Sequence, residues 1–421
     1  MPSSPDIIIL DDYAMSAGGS SSVAIASAFG LVARGLRVTY FSCVGPVAAR
    51  LRGVPGLEVI CLQQPELARD PHRVRAFFSG LRNTRAVDAL RGLLAARDPR
   101  RTVVHVHTWM KALSPFALQS VVAQDFPLVV TLHDYFIACP NGGFFEYPTG
   151  RICHRRPLSL SCLGCNCDRR NYAQKLWRSA RTLVQNRWLA LPGRITRYIG
   201  VSDFSAGILR PHLPPHAAVS VLRNPVECVD EGPAPVAGNR SFVFVGRLVP
   251  EKGVRLFAEA VAQAKVPAVF VGDGELLPEL RRLCPHARFT GWLDPAAIRA
   301  ELRDARALVL PSLWYETLGL VTIEAAAAGV PSIVADGCAA TDYIRHDENG
   351  LHFSHGTAAS LATVMRVAAE DDSLIARLGA AAYRWYWDEP WTVDRHVAGL
   401  LQIYETLGAP ATQHQPTQGA A

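Results

Sequence analysis

Lysine is scarce in this chain: among 43 basic residues only Lys111, Lys175, Lys252 and Lys265 are lysines, so the position of each carries weight. No basic segment precedes the apolar run in MPSSPDIIIL, which therefore reads as a first strand rather than a signal peptide, with the cytoplasm as the expected location. No charge falls between Tyr13 and Ala33, yet the stretch carries SAGGSSS and falls short of a membrane-spanning helix. The turn after Leu10 lacks the G-x-G-x-x-G spacing, which disfavours NAD. No recognisable nucleic-acid-binding module accompanies the basic residues, so nucleic acid is not an expected partner.

What is present is globular. The 421 residues suffice for two domains, and 49% apolar content with 8 Trp and 16 Phe allows each its own core. The net charge of +6 is uneven. Residues 151–210 hold 12 Arg or Lys against the two acids Asp168 and Asp203. That run is either a set of solvated arginine-rich faces or an attraction to an anionic membrane surface or polyanionic acceptor.

The stretch Pro311 to Val334, PSLWYETLGLVTIEAAAAGVPSIV, sets Glu316 and Glu324 on either side of a glycine turn. Apolar runs at Ala307–Leu310 and Ser332–Ala335 flank it, so it reads as strand, loop, helix, strand. Glu316 then falls at a strand's carboxyl end, where parallel sheets bind ligands. Eight helical residues rise about 12 Å and turn about 80°. A retaining hydrolase dyad needs about 5 Å and an inverting one about 6.5 to 9.5 Å. The two glutamates are thus expected to hold two ends of one elongated ligand, with the amides of Leu318, Gly319 and Leu320 suited to a phosphate between them. The plain structural reading makes Glu316 a complement to the helix dipole and Glu324 a solvated helix residue.

Upstream, the strand Phe242–Val245 runs into Gly246 and Arg247, then Lys252 and Gly253, then a helical pattern over Val254–Ala264. Two cations at such a turn suit a diphosphate whose charge grows as it leaves, or are merely solvated turn charges. The run GRLVPEKG, VGDGE, FTGWL and PSLWYETLGLVTIEAAAAGVPSIV, in that order over residues 242–352, resembles the retaining glycosyltransferases of family 4. Weaker matches extend across nearly the whole chain. The resemblance implies the GT-B architecture: α/β, two Rossmann-like doubly wound domains facing a cleft, with a C-terminal helix crossing back to the first domain. It also implies that Gly18, Gly19, Gly246 and Gly272 lie on the donor side, that the backbone around Phe289–Leu293 lines a base pocket, and that Glu324 meets the ribose. The run from Gly337, reading GCAATDY, departs from the family's usual acid-containing pattern, so no role is carried over at Gly337–Thr341.

In the first half, VVHVHTW and LVVTLHDYF place His105, His107, His133 and Asp134 at strand ends. His133 is expected to touch the donor hexose by resemblance, with His107 a cleft neighbour and His105 structural. Five cysteines, Cys139, Cys153, Cys162, Cys165 and Cys167, then crowd one segment. In a reducing compartment this pattern suggests a metal site, four thiolates giving a closed structural zinc site; an iron–sulfur cluster or unligated thiols are the alternatives.

The expected organisation is an acceptor-side domain over 1–225 with the Cys-rich insertion at 139–167, and a linker at 226–240. A nucleotide-sugar domain over 241–385, a returning helix at 386–407 and a disordered tail at 408–421 follow. The expected function is transfer of a hexose from a nucleoside-diphosphate sugar to a glycan or lipid-linked acceptor in cell-envelope polysaccharide synthesis. Arg247, Lys252, Glu316 and His133 would act at the reacting centre without a catalytic cofactor, and the enzyme would be cytoplasmic or peripheral on the inner membrane face. A nucleotide-sugar epimerase or phosphorylase on the same fold, or a non-enzymatic carbohydrate or polyanion binder, are the competing classes.

Overall fold

The computed structural model describes residues 5–407; the expected tail at 408–421 lies outside the described residues. The first half contains β1 (Asp6–Tyr13), β2 (Val38–Val44), β3 (Leu57–Gln64), β4 (Thr102–Val106), β5 (Leu128–Leu132), a small antiparallel hairpin of β6 (Phe145–Glu146) and β7 (Arg151–Ile152), β8 (Arg197–Gly200) and β9 (Val219–Val221). All but the hairpin form one parallel seven-stranded sheet in the order β3-β2-β1-β4-β5-β8-β9. Alternate residues of one strand feed two separate cores. Ile8, Leu10, Val104, Val106 and Val130 face one side, and Ile7, Ile9, Val103, Val129 and Ile199 the other. Both faces are therefore covered, which is why these strands are apolar without interruption.

The second half contains β10 (Ser241–Val245), β11 (Ala268–Val271), β12 (Arg288–Gly291), β13 (Ala305–Leu310), β14 (Ser332–Ala335) and β15 (Gly350–Phe353). They form a parallel six-stranded sheet in the order β12-β11-β10-β13-β14-β15. Phe289 stacks on Phe270 of β11 and Phe257 packs on it at a tilt, with ring centroids 4.8 and 4.9 Å away. In each sheet the first strand is central: β2 then β3 add on one side of β1 and β4 onward on the other, and β11 then β12 on one side of β10 and β13 onward on the other. The order of strand addition reverses at those strands, and that is where a doubly wound sheet opens a crevice beyond its carboxyl edge.

Two C-terminal helices tie the halves together. Asp372–Asp388 packs on the second domain through Ile375 and Leu378. Pro390 ends that run, and Val393–Glu405 lies against the first domain through Val397, Leu400 and Tyr404. Gly30 permits the crossing, since a Cβ there would sit 2.5 Å from the Val397 side chain. His396 bonds Ser27 at 3.0 Å, and the Tyr404 hydroxyl lies 2.6 Å from His105 Nδ1. Among the described residues no helix is long and apolar enough to cross a membrane.

Candidate active site

Most of the donor-side candidates follow the carboxyl end of a strand: Gly18 and Gly19 after β1, His133 after β5, Gly246 and Arg247 after β10, Gly272 after β11, Glu316 after β13, whereas Glu324 lies within a helix. Two glycines make the second domain's corner possible. At Gly253, φ 68°, a Cβ would lie 1.8 Å from the carbonyl oxygen of Pro311, so the Lys252 turn can press directly on the end of β13. At Gly272, φ 127°, a Cβ would lie 2.0 Å from the Gly246 carbonyl, which lets the loops after β10 and β11 touch.

That closeness brings Lys252 Nζ within 2.7 Å of Glu316 Oε2. The same oxygen accepts from Ser312 Oγ at 3.0 Å and Trp314 Nε1 at 3.1 Å, and the ammonium lies 5.4 Å from the Trp314 ring centre. Burial opposes ionisation of Glu316, but the Lys252 charge and these three donors outweigh it and hold the carboxyl below its ordinary range. Glu316 is therefore a carboxylate at neutral pH. Arg247 stays largely exposed, 3.5 Å from the buried Glu251, one of whose oxygens has no partner. Gly319, φ 79°, caps the helix Leu320–Ala327, leaving the amides of its first turn without intrahelical partners beside Glu316.

Glu324 stands apart from this knot. It lines a recess of about 130 Å³ with Glu227, Cys228, Ile298 and Arg299, and neither Arg247, Lys252 nor Glu316 borders that space. Burial raises its carboxyl to about 6, partly offset by Arg299.

The first domain meets this corner from across the cleft. Thr317 Oγ1 donates to the His133 carbonyl at 3.3 Å, and Ser202 Oγ donates to the Thr317 carbonyl at 2.7 Å. Phe204 N donates to Asp342 at 2.9 Å, and Leu320 packs on Gly19. His133 Nε2 lies 2.9 Å from His107 Nδ1. Burial, reinforced by His396, lowers His133 to about 3, so it is a neutral imidazole at working pH. Buried His105 bonds Tyr404 and Thr131, a structural bridge to the last helix. The Ala339 amide donates to the Glu316 carbonyl at 3.2 Å, so the GCAATDY run buttresses the acidic loop.

The Cys-rich segment does not assemble the expected zinc site. All five thiols are free, and among the described residues no three His, Cys, Asp or Glu side chains are grouped to hold a metal ion. Cys139 donates to Asn141 at 3.0 Å, while the fully buried ammonium of Lys175 lies 3.2 Å from Cys162. The insertion instead reaches over the cleft: Arg169 bonds Glu275 at 2.8 Å and approaches Glu251 at 3.8 Å, and Gly143 lies against Trp314. Arg169, Glu251, Trp314, Ser312, Ser202 and Thr317 escaped the sequence reading. Only the density of arginines after Cys167 hinted at the first.

The family model described as Glycosyltransferase Family 4 matches residues 17–229, and that described as Glycosyl transferases group 1 matches residues 232–385. A glycogen synthase of Mycobacterium tuberculosis is 27% identical over 342 residues, covering 78% of this chain and 73% of that protein. Sucrose-phosphate synthase from Thermosynechococcus elongatus superposes with a TM-score of 0.72 at 19% identity, over 96% of this chain and 99% of that one. The Anabaena protein HepE, solved in complex with UDP and glucose, superposes with a TM-score of 0.66 at 17% identity, over 96% and 100%. Two parallel sheets facing one cleft, bridged by a returning C-terminal helix and matched by this family's model over half the sequence, identify the chain as a member of glycosyltransferase family 4 with the GT-B fold.

Proposed function

We propose that the enzyme moves a hexose from a nucleoside-diphosphate sugar to a glycan or lipid-linked acceptor with retention at the anomeric carbon, at the cytoplasmic face of the membrane in cell-envelope polysaccharide synthesis. The observation that carries this reading is the Lys252–Glu316 pair at 2.7 Å beside the exposed Arg247, in a crevice between two domains. The UDP and glucose of the HepE complex give the donor class a parallel on the same fold.

In this reading Arg247 and Lys252 offset the charge that builds on the leaving diphosphate, and the amides of Leu318, Gly319 and Leu320 bind its oxygens. Glu316, held ionised, accepts hydrogen bonds from hexose hydroxyls. Neutral His133 orients the sugar from the first domain through the nitrogen it does not share with His107. Glu324, in its separate recess with Arg299, accepts from the ribose hydroxyls in this reading. The acceptor hydroxyl attacks from the face the diphosphate leaves: the C1–O bond to phosphate breaks, the C1–O bond to the acceptor forms, and the acceptor's proton passes to the departing phosphate oxygen. No protein nucleophile is needed. Closure of the cleft, through the Thr317 and Arg169 bridges, completes the site and excludes water.

The test is a panel of nucleotide sugars, followed by proton NMR of the product. Release of the nucleoside diphosphate with an axial anomeric bond from an axial donor supports the reading. An inverted product, or turnover that needs inorganic phosphate, sinks it.

A further inference from the structure

The helix Tyr172–Leu183 is inside out. Facing inward it carries Lys175, Ser179, Arg181 and Thr182, with Gln185 just beyond its end, all buried. Facing water it carries Tyr172, Ala173, Leu176, Ala180 and Leu183, an apolar stripe at helical spacing, followed by Trp188, which is 77% exposed. The inward groups are tied down: Arg181 donates to the Met110 carbonyl at 2.6 Å, Gln185 accepts from Trp109 at 2.9 Å, and Lys175 meets Cys162. The helix therefore cannot roll to hide its stripe without orphaning a buried guanidinium and a buried ammonium.

A second short helix extends the same surface. Arg73–Leu81 rests Gly80 on the Trp177 ring, and Trp177 Nε1 donates to the Phe77 carbonyl at 3.3 Å. Val74, Phe77 and Phe78 are left in water. A groove of about 530 Å³ between the two helices is lined by Arg73, Phe77, Arg170 and Trp177. Exposed Arg73, Arg170 and Arg187 have no ion-pair partner among the described residues, whereas the nearby carboxylates Asp70 and Asp168 are neutralised by Arg75 and Arg178. The face is thus apolar at its centre and positive at its margins.

We infer that this face docks on an anionic lipid bilayer, with Trp188, Leu183, Leu176 and Phe78 at the headgroup boundary and Arg73, Arg170 and Arg187 on acidic headgroups. Charge decides the occupant: a protein groove would be served by the stripe alone, but the unpaired arginines around it call for a surface of fixed negative charge. The inference deepens the membrane placement proposed above. Its test needs no donor or acceptor, so its failure leaves the transfer chemistry standing.

Flotation of the purified protein with phosphatidylcholine vesicles, with and without phosphatidylglycerol, reads it directly. Binding should be about tenfold or more tighter to the anionic vesicles and weaken as salt rises. Leu176→Ser with Leu183→Ser should lower it about tenfold or more, and Arg73→Glu with Arg170→Glu should remove its dependence on anionic lipid. All four positions are exposed, so nucleoside-diphosphate affinity measured without vesicles should not change and confirms the fold. No binding by the native protein, or equal binding by the serine variant, overturns the inference. So does a dimer in sedimentation that the serine variant converts to monomer, since a second copy would then own the face.

Discussion

Replacing Lys252 by methionine separates the structural and chemical demands on the reacting corner. Glu316 is 7% exposed, and one oxygen takes all three of its donors, Lys252 at 2.7 Å, Ser312 at 3.0 Å and Trp314 at 3.1 Å. Methionine keeps the volume over the Trp314 ring but leaves a buried carboxylate without its countercharge, which costs about 3 to 5 kcal/mol. For a domain of this size that lowers its melting temperature by on the order of 10 °C. The loss must depend on pH. In the native protein the depressed Glu316 contributes stability that is present above the unfolded carboxyl value of 4.5 and is lost as pH falls through its lower folded value. Without Lys252 the opposition from burial is less offset and the folded value rises, so the deficit is greatest at neutral pH and shrinks with acidification. Adding Glu316→Gln should recover part of it, because a neutral amide removes the orphaned charge. Calorimetry of the single and double variants across the acid range checks this. A deficit that is the same in acid and at neutrality, or a double variant less stable than Lys252→Met alone, refutes the ion-pair account. Turnover should fall about 100-fold or more whatever the pH.

Arg247→Ala should also reduce turnover on the order of 100-fold, yet leave the melting temperature nearly unchanged, since its side chain is 62% exposed; a large thermal shift would make it structural. Glu324→Gln should weaken binding of the free nucleoside diphosphate, and in native protein the advantage of the carboxylate should fade as pH drops through about 6, where burial has placed its titration; isothermal calorimetry that finds equal affinities at every pH contradicts the ribose assignment. Arg169→Ala should raise the KM for donor with a smaller effect on kcat, because it removes the 2.8 Å bridge to Glu275 and the 3.8 Å approach to Glu251 but leaves the Lys252–Glu316 pair in place; an unchanged KM would mean Arg169 is no clamp.

Much of the fold was readable because parallel strands buried on both faces are continuous apolar runs. Ile7–Leu10, Phe242–Val245, Ala307–Leu310 and Ser332–Ala335 all lie within strands. Arg288–Gly291 and Gly350–Phe353 were harder, since β12 and β15 form the two edges of their sheet and β12 in particular carries exposed and half-buried residues. The zinc expectation rested on cysteine spacing alone. Spacing is blind to Lys175, eight residues after the last of those thiols, whose buried ammonium meets Cys162 at 3.2 Å.

The site divides along the same line. Residues that act from one loop were legible: Glu316 and Lys252 are each fixed by a local turn, and Gly253 announces how close those turns come. Residues that act across the cleft were not, because Thr317 meets His133 184 positions away and Arg169 meets Glu251 only when both sheets are in place. Glu251 shows what that distance conceals. In sequence it is one more charge in PEKG; in the fold it is a buried carboxylate with an unpartnered oxygen, approached by Arg247 from its own domain and Arg169 from the other. Its two cations come from opposite walls, so any opening of the cleft withdraws Arg169 and leaves Arg247 as the one remaining countercharge.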